Sequence, residues 1–153
     1  MSQINTRSAT LDDLPILIEF EQGIIDYERP MDPTLKEDPI SYYDLNKLIS
    51  SFDSEVIVAI IDNEIIGSGY VKVLKAKPYL NHDRFGYIGF MFVQPKHRGK
   101  GVNKVINEAL ISWSRKQGLN EIRLEVYDQN DSAIKAYEKA GYSKNLVEMR
   151  MRI

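Results

Sequence analysis

The order of apolar blocks along the 153-residue chain predicts one α+β (mixed α/β) domain spanning residues 1–153, with a central twisted sheet, mixed but mostly antiparallel, flanked by helices. Three observations predict it. Residues 55–61 (EVIVAII), 65–74 and 85–93 are strand-like runs in succession, the first two joined by a short polar turn, which is a β-meander. Val102, Val105, Ile106, Ala109, Leu110 and Trp113 then recur at helical spacing. Finally, a strand, a helix and a strand follow, so the second half of the chain alternates β and α.

Each element has a local reason. Residues 4–9 can open as a strand. Thr10 and Asp13 have the spacing of a capping box, and Leu14, Leu17, Ile18, Glu21, Ile24 and Ile25 continue it as a helix over 11–27. Pro30, Pro33 and Pro39 exclude regular helix or central strand from 28–41. A short helix is expected over 42–52, a hairpin turn at 62–64 and a polar loop over 75–84. Gln94-Pro95 stops the third core strand. The stripe that begins at Val102 ends at Lys116-Gln117-Gly118, a basic last turn followed by glycine. Residues 122–126 read as a strand, Asn130-Asp131-Ser132 as caps for a helix running to Gly141, and 146–153 as a final strand.

Composition narrows the function. The chain is 43% hydrophobic and 27% charged with a net charge of −2, so the molecule as a whole has no pull on nucleic acid or on a membrane surface. It has no cysteine, which removes disulfides, thiolate metal sites and a cysteine nucleophile. The first residues lack an apolar signal core, and no apolar run approaches the roughly 20 residues needed to span a bilayer. A cytoplasmic protein is the expectation. Two isolated histidines, His82 and His97, do not make a metal site.

The charge is unevenly placed. Arg84 to Asn107 holds five Lys or Arg and no acid, whereas Asp26 to Asp44 holds six acids and two bases, a local net of −4. In the basic half, VQPKHRGKGVNK (Val93–Lys104) sets Gly99 and Gly101 among cations between a strand and a helix. A helix opening from such a turn presents unpaired N–H groups and the positive end of its dipole, and glycine lets an anion approach the backbone. A phosphate, most simply a diphosphate, is the ligand this arrangement suits. It is not a Walker loop, and it lacks the third glycine of a dinucleotide fingerprint, where Lys104 stands.

Arg98-Gly99-Lys100-Gly101-Val102-Asn103 resembles the Q/R-x-x-G-x-G/A phosphate signature of the GNAT acyltransferase superfamily, which binds acetyl-CoA, with Asn103 where the family prefers Gly or Ala. Phe92-Val93-Gln94-Pro95 looks like the family's strand end. LEVYDQNDSAIKAYEKAGY (Leu124–Tyr142) resembles its second motif, with Asn130, Ala133, Tyr137, Gly141 and Tyr142 in place. The two motifs span residues 85–142, and the element order before them matches as well.

The resemblance implies a GNAT-like acyl-CoA N-acyltransferase fold and a direct transfer from acetyl-CoA to a primary amine in one complex, with no metal. It implies that Phe92, Val93, Arg98, Gly99, Lys100, Gly101, Val102, Asn103, Asn130 and Tyr137 bind the cosubstrate, and that Tyr137 assists the leaving sulfur. A phenol at pKa about 10 against a thiol at about 8.5 makes full proton transfer uphill by roughly 2 kcal/mol, so hydrogen bonding to the thiolate is the expected role. Glu125 matches a position that serves as base in some relatives; Tyr87 or a water is the fallback. An alkylamine is over 99% protonated at neutral pH, an access penalty of about 4–5 kcal/mol, so a base is needed. Glu21, Asp26, Tyr27, Glu28, Tyr42 and Tyr87 are the acceptor-side candidates for a cationic amine of a small molecule or peptide. A non-catalytic acyl-CoA-binding module on the same fold is the alternative. No nucleic-acid or membrane partner is expected, and either a monomer or a homodimer fits.

Overall fold

The computed structural model describes residues 2–153. Five strands, β1 (Asn5–Ser8), β2 (Ser54–Ile61), β3 (Glu64–Lys75), β4 (Arg84–Val93) and β5 (Ile122–Leu124), lie in that spatial order in one sheet. The first three pairings are antiparallel, and β4 with β5 is parallel. The β2–β3 hairpin closes through Asp62 and Asn63, with φ of 48° and 65°. Both sit in the left-handed region, the two-residue turn whose twist matches that of the flanking strands and which Asn and Asp tolerate.

Helix α1 (Leu14–Glu28) begins three residues later than the sequence predicts, because Leu11–Asp13 form a tighter 3-10 turn and Pro15 occupies the first turn, where no N–H is needed. Asp13 accepts from the Thr10 backbone N–H at 2.8 Å and holds the Arg7 guanidinium through both oxygens at 2.8 and 3.0 Å. Helix α2 (Leu45–Ser50) is shorter than the expected 42–52: Asp44 caps it by accepting from Lys47 N–H at 3.0 Å. Helices α3 (Val102–Lys116) and α4 (Asp131–Lys139) fall where the apolar spacing places them.

The alternation in β2 divides the core. Val56 and Val58 face α1 and α2, packing with Leu17, Phe20, Leu45, Tyr70 and Phe90. Ile57 and Ala59 face α3, with Ile66, Val71, Ile88, Val102, Ile106 and Leu110. The sheet is thus covered on both faces, and its functional edge lies at β4 and β5.

Two sequence expectations fail there. Strand β5 ends at Leu124 rather than at 126, and residues 146–153 form no strand and are exposed. Their alternating pattern is that of a strand, but among the described residues no ladder pairs with them.

Asp13 supplies a test of the N-terminal packing. The Arg7 hydrogen bonds, first, and the Thr10 N–H hold its carboxyl below the ordinary value. A carboxylate with a depressed folded-state pKa stabilises above its unfolded value of about 3.9, and that contribution disappears as pH falls through the folded value. Asp13→Asn is therefore expected to lower stability by about 1–2 kcal/mol at pH 7. In urea titrations repeated across pH, the difference stays constant well above the ordinary carboxylate value of about 3.9 and shrinks as pH falls below it, through the lower folded-state value.

Candidate active site

The site is built on an irregularity in β4. Ser68 pairs with Phe92 and Tyr70 with Gly89, so the single Gly69 lies opposite Phe90 and Met91. This is a β-bulge, and Phe90 takes φ 59°, a strained value for a residue with a side chain. Gly89 beside it is required by close approach: a Cβ there would stand 2.6 Å from the Tyr70 ring. The Ser68 hydroxyl donates to the Phe90 carbonyl at 3.1 Å.

Beyond the bulge the sheet opens. Strand β4 pairs with β5 only from Gly86 to Ile88, leaving the backbone of Gly89–Val93 facing a gap on that side. The gap belongs to a cleft of about 2640 Å³ lined by Phe92, Val93, Arg98, Gly99 and Asn103 at one end and by Glu28, Tyr42, Tyr87, Glu125 and Tyr137 further along.

The glycine loop closes the first end. Gly99 and Gly101 have φ of 74° and 82°, and a Cβ built on either meets nothing within 4 Å, so the space in front of α3 is open. The first N–H of α3 to find an intrahelical acceptor is that of Val105, bonded to Gly101 O at 3.2 Å. The N–H groups of the turn before it have no such partner and remain available to an anion. The Val102 side chain is buried in the core, so only its backbone is at the site. Lys96 is engaged with Glu64 at 2.9 Å and Lys104 with Glu108 at 4.0 Å, which leaves Arg98 and Lys100 as the loop's cations without an acidic partner among the described residues. Arg98 folds back on the strand end, donating from Nε to Val93 O at 3.0 Å with its guanidinium 5.9 Å from the Phe92 ring centroid. Both ring nitrogens of His97 are buried without a hydrogen-bond partner.

Asn130 acts first as the cap of α4, accepting from Ala133 N–H at 3.3 Å, and also lines the cleft. Tyr137, on α4, stacks edge-on against Tyr142 at 5.6 Å, and Tyr142 donates to Asn107 of α3 at 2.8 Å. The tyrosine is thereby set against the cleft by a contact to the neighbouring helix. Burial, first, and the charge of Glu28 raise its phenol to about 12.

The acceptor side is a tyrosine group between two carboxylates. Glu28, at the end of α1, is half-buried, and burial lifts its carboxyl above the ordinary value while the Tyr42 hydroxyl opposes the rise. Glu125 follows β5 directly; with burial first, its charge helps hold the Tyr87 proton on and raises Tyr70 to about 12. Arg123 pairs with Glu121 at 3.4 Å and leaves Glu125 free of it. Tyr27 is exposed at the rim, lining the cleft.

Two acceptor-side candidates lie elsewhere. Glu21 is 3% exposed, and one of its oxygens accepts the backbone N–H groups of Tyr42 and Tyr43, each at 2.8 Å, so it fastens the 41–44 loop to α1. Asp26 is exposed and outside the cleft lining. The sequence reading missed Tyr70 and Tyr127, which also line the cleft, and Asp32, which is 8% exposed. Asp32 accepts from Thr34, from Tyr127 Oη at 3.1 Å and from Arg150 at 3.2 Å. The ring-rich composition was the available signal; the spacing carried none. Among the described residues, no group of three or more His, Cys, Asp or Glu is placed to hold a metal, and no helix is long and apolar enough to cross a membrane.

Residues 21–142 match the family model described as acetyltransferase (GNAT) family. The chain is 29% identical over 132 residues to N-alpha-acetyltransferase 30 of Saccharomyces cerevisiae, covering 84% of this chain and 73% of that protein. It is 28% identical over 108 residues to the mycothiol acetyltransferase of Renibacterium salmoninarum, covering 68% of this chain but only 31% of that longer protein. A crystal structure of a Bacillus halodurans protein superposes with a TM-score of 0.89 over 97% of this chain and 99% of its own, at 20% identity.

The role of Glu21 is checked by denaturation. Glu21→Ala strands two backbone N–H groups away from water and is expected to lower stability by about 2–4 kcal/mol. Asp26→Asn, at the exposed site, is expected to stay within about 0.5 kcal/mol of wild type.

Proposed function

The chain belongs to the acetyltransferase (GNAT) family, and from that premise we propose that it moves the acetyl group of acetyl-CoA directly to a primary amine, of a small molecule or of a peptide or protein, within a ternary complex. One observation carries the reading: an open, cationic helix N-terminus and an unpaired stretch of strand backbone border the same cleft as a half-buried tyrosine and two carboxylates.

The residues fit the cosubstrate. The N–H groups at the start of α3 with Lys100 and a re-extended Arg98 take the diphosphate, and Asn103 adds a side-chain amide. Backbone groups of Phe92 and Val93, on the unpaired edge, hydrogen-bond the amide-bearing arm much as an added strand would. Acetyl-CoA supplies the activated acyl carbon and a thiolate leaving group.

This chain's own groups do the rest. Tyr137 keeps its proton throughout the neutral range. With a phenol near 12 against a thiol near 8.5, complete transfer would be uphill by about 5 kcal/mol, so its part is to donate a hydrogen bond to the sulfur as charge gathers there. Glu125, beside the Tyr87 phenol, accepts the proton from the incoming ammonium. Glu28 and the tyrosine faces hold that cation on approach. Lys72 already stands 5.8 and 5.6 Å from the Tyr70 and Tyr87 ring centroids, so these rings accommodate a positive charge.

The cosubstrate half of the reading is tested by calorimetric titration with acetyl-CoA. Micromolar binding is expected for the wild type and none for Gly101→Glu, which sets a carboxylate in the anion site; a wild type that does not bind would falsify the assignment. The chemical half is tested by thiol release with an accepted amine. Tyr137→Phe should lower kcat about 30-fold, or 2 kcal/mol, at unchanged acetyl-CoA affinity. Glu125→Gln should be slow at pH 7 and recover as pH approaches about 10, where the amine deprotonates by itself. Equal loss at both pH values would remove Glu125 from the role of base.

A further inference from the structure

One cation that lines the cleft has no part in the reaction assigned above. Three lysines border the cleft, Lys47, Lys72 and Lys144; the first and last are exposed, whereas Lys72, on β3, is half-buried. Among the described residues Lys72 forms no ion pair. Its surroundings are aromatic instead: Nζ stands 5.8 and 5.6 Å from the Tyr70 and Tyr87 ring centroids. Lys72 pairs with Tyr87 across the sheet, and Tyr70 lies two residues back on the same face of β3, so one amine stands between both rings.

Those two phenols mark the place of reaction. Tyr70 pairs with Gly89, where the unpaired stretch of β4 begins, and its ring tip lies 2.6 Å from a Cβ built on that glycine. Burial, first, and the charge of Glu125 hold the protons of both phenols on, so the carboxylate assigned as base acts on the same two rings as the lysine. A cosubstrate seated at α3 and running past Val93 and Phe92 brings its acyl end to this stretch. The Lys72 amine therefore occupies the ring faces assigned above to the incoming ammonium.

We propose that Lys72 is itself an acetyl acceptor: with acetyl-CoA bound and no other amine in the cleft, its Nζ takes the acetyl group within the same molecule. The inference rests on the acetyl transfer proposed above and names one acceptor for it. The ammonium gives a proton to Glu125, which passes it to water. The Nζ lone pair then attacks the thioester carbonyl carbon, an N–C bond forms and the C–S bond breaks. The nitrogen loses its second proton as the amide forms, and the departing thiolate is protonated to the free thiol. In sum, an ammonium and a thioester become a neutral amide, a thiol and one proton. Tethering favours this acceptor, because an amine already fixed in the cleft reacts at high effective concentration, whereas a diffusing one must first bind. The product carries no charge and gives up the two ring faces. Unmodified Lys72 is thus an occupant that an external amine must displace, and its acetylation clears the place.

The test uses the purified full chain with isotope-labelled acetyl-CoA and no added amine, the modified sites being mapped by mass spectrometry over time. Label is expected on Lys72 at least about tenfold faster than on Lys47 or Lys144, at a rate unchanged when the protein is diluted at saturating acetyl-CoA. Lys72→Arg keeps the charge and should take no label at that position. Gly101→Glu, its fold checked by circular dichroism, should lose the Lys72 label, which separates transfer in the cleft from reaction with free acetyl-CoA. Acetyl found on Lys72 at isolation counts as product only where Gly101→Glu isolated in the same way lacks it. Calorimetric titration of the same samples tells two failures apart. A wild type that binds acetyl-CoA yet carries no acetyl at Lys72, on isolation or after incubation, overturns this inference alone. So does label that is no faster there than on Lys47 and Lys144, that persists in Gly101→Glu, or that slows in proportion to protein dilution. A wild type that does not bind acetyl-CoA overturns the acetyl transfer and this inference with it.

Discussion

The bulge at Phe90 is the constraint on which the site depends. It inserts one residue into β4 and so changes which side chains share a face. Tyr87, Phe90 and Phe92 all pack towards α1 and α2, whereas Ile88, Met91 and Val93 pack towards α3. Tyr87 and Phe92 are five apart and would fall on opposite faces of a regular strand. With the extra residue, Phe92 reaches Phe20 of α1 at a 4.7 Å ring separation while Tyr87 stays at the cleft. The left-handed conformation of Phe90 costs about 1–2 kcal/mol. Its ring, 2% exposed, contributes about 2–3 kcal/mol by burial, and the Ser68 hydroxyl holds its carbonyl, so the distortion persists. A bulged strand bends and twists more strongly, and here the pairing with β5 stops at Ile88, just before the bulge.

Charge is sorted along the opening thus made. At the α3 end the field is positive and comes largely from backbone dipoles, which cannot be titrated away. At the other end Glu28 acts on several phenols together: its charge raises those of Tyr42, Tyr43, Tyr87, Tyr127 and Tyr137 beyond what burial does. Tyrosines held protonated in this way are hydrogen-bond donors at every physiological pH, and their ring faces attract cations. One cleft thus has a cationic end rich in free N–H groups and an end bearing two carboxylates, with protonated phenols between them.

Much of this was legible because it depends on local rules. Gly99 and Gly101 had to be glycine wherever the chain turned through positive φ into a helix, and both do so. Asn130 could be read as a cap from its place before an amphipathic run, and it caps. Tyr137 was singled out only through its surrounding motif; nothing in an isolated tyrosine distinguishes a cleft residue from a core one. The bulge was not legible. YIGFMFV reads as an uninterrupted buried strand, and the extra residue shows itself only against its partner, where Gly69 faces two residues at once.

Glu21 and the segment 146–153 were misread for one shared reason. A side chain's type states what it can bind, and the partner is chosen by tertiary structure. Glu21 sits at a helical position beside Gln22 on an otherwise apolar stripe, and its sign suggested a place for a cation. The donors that reach it are backbone N–H groups of Tyr42 and Tyr43, twenty-one and twenty-two residues away. A buried carboxylate with two such bonds needs no ammonium. In 146–153 the alternation correctly encodes two unlike faces, but a strand is stable only when an edge receives it. Asp32 meets the charged face through Arg150, and the apolar side chains Leu146, Val147, Met149, Met151 and Ile153 stay exposed. Sequence periodicity therefore specified two unlike faces, while the pairing that makes such a run a strand depends on a neighbouring edge, which periodicity does not encode.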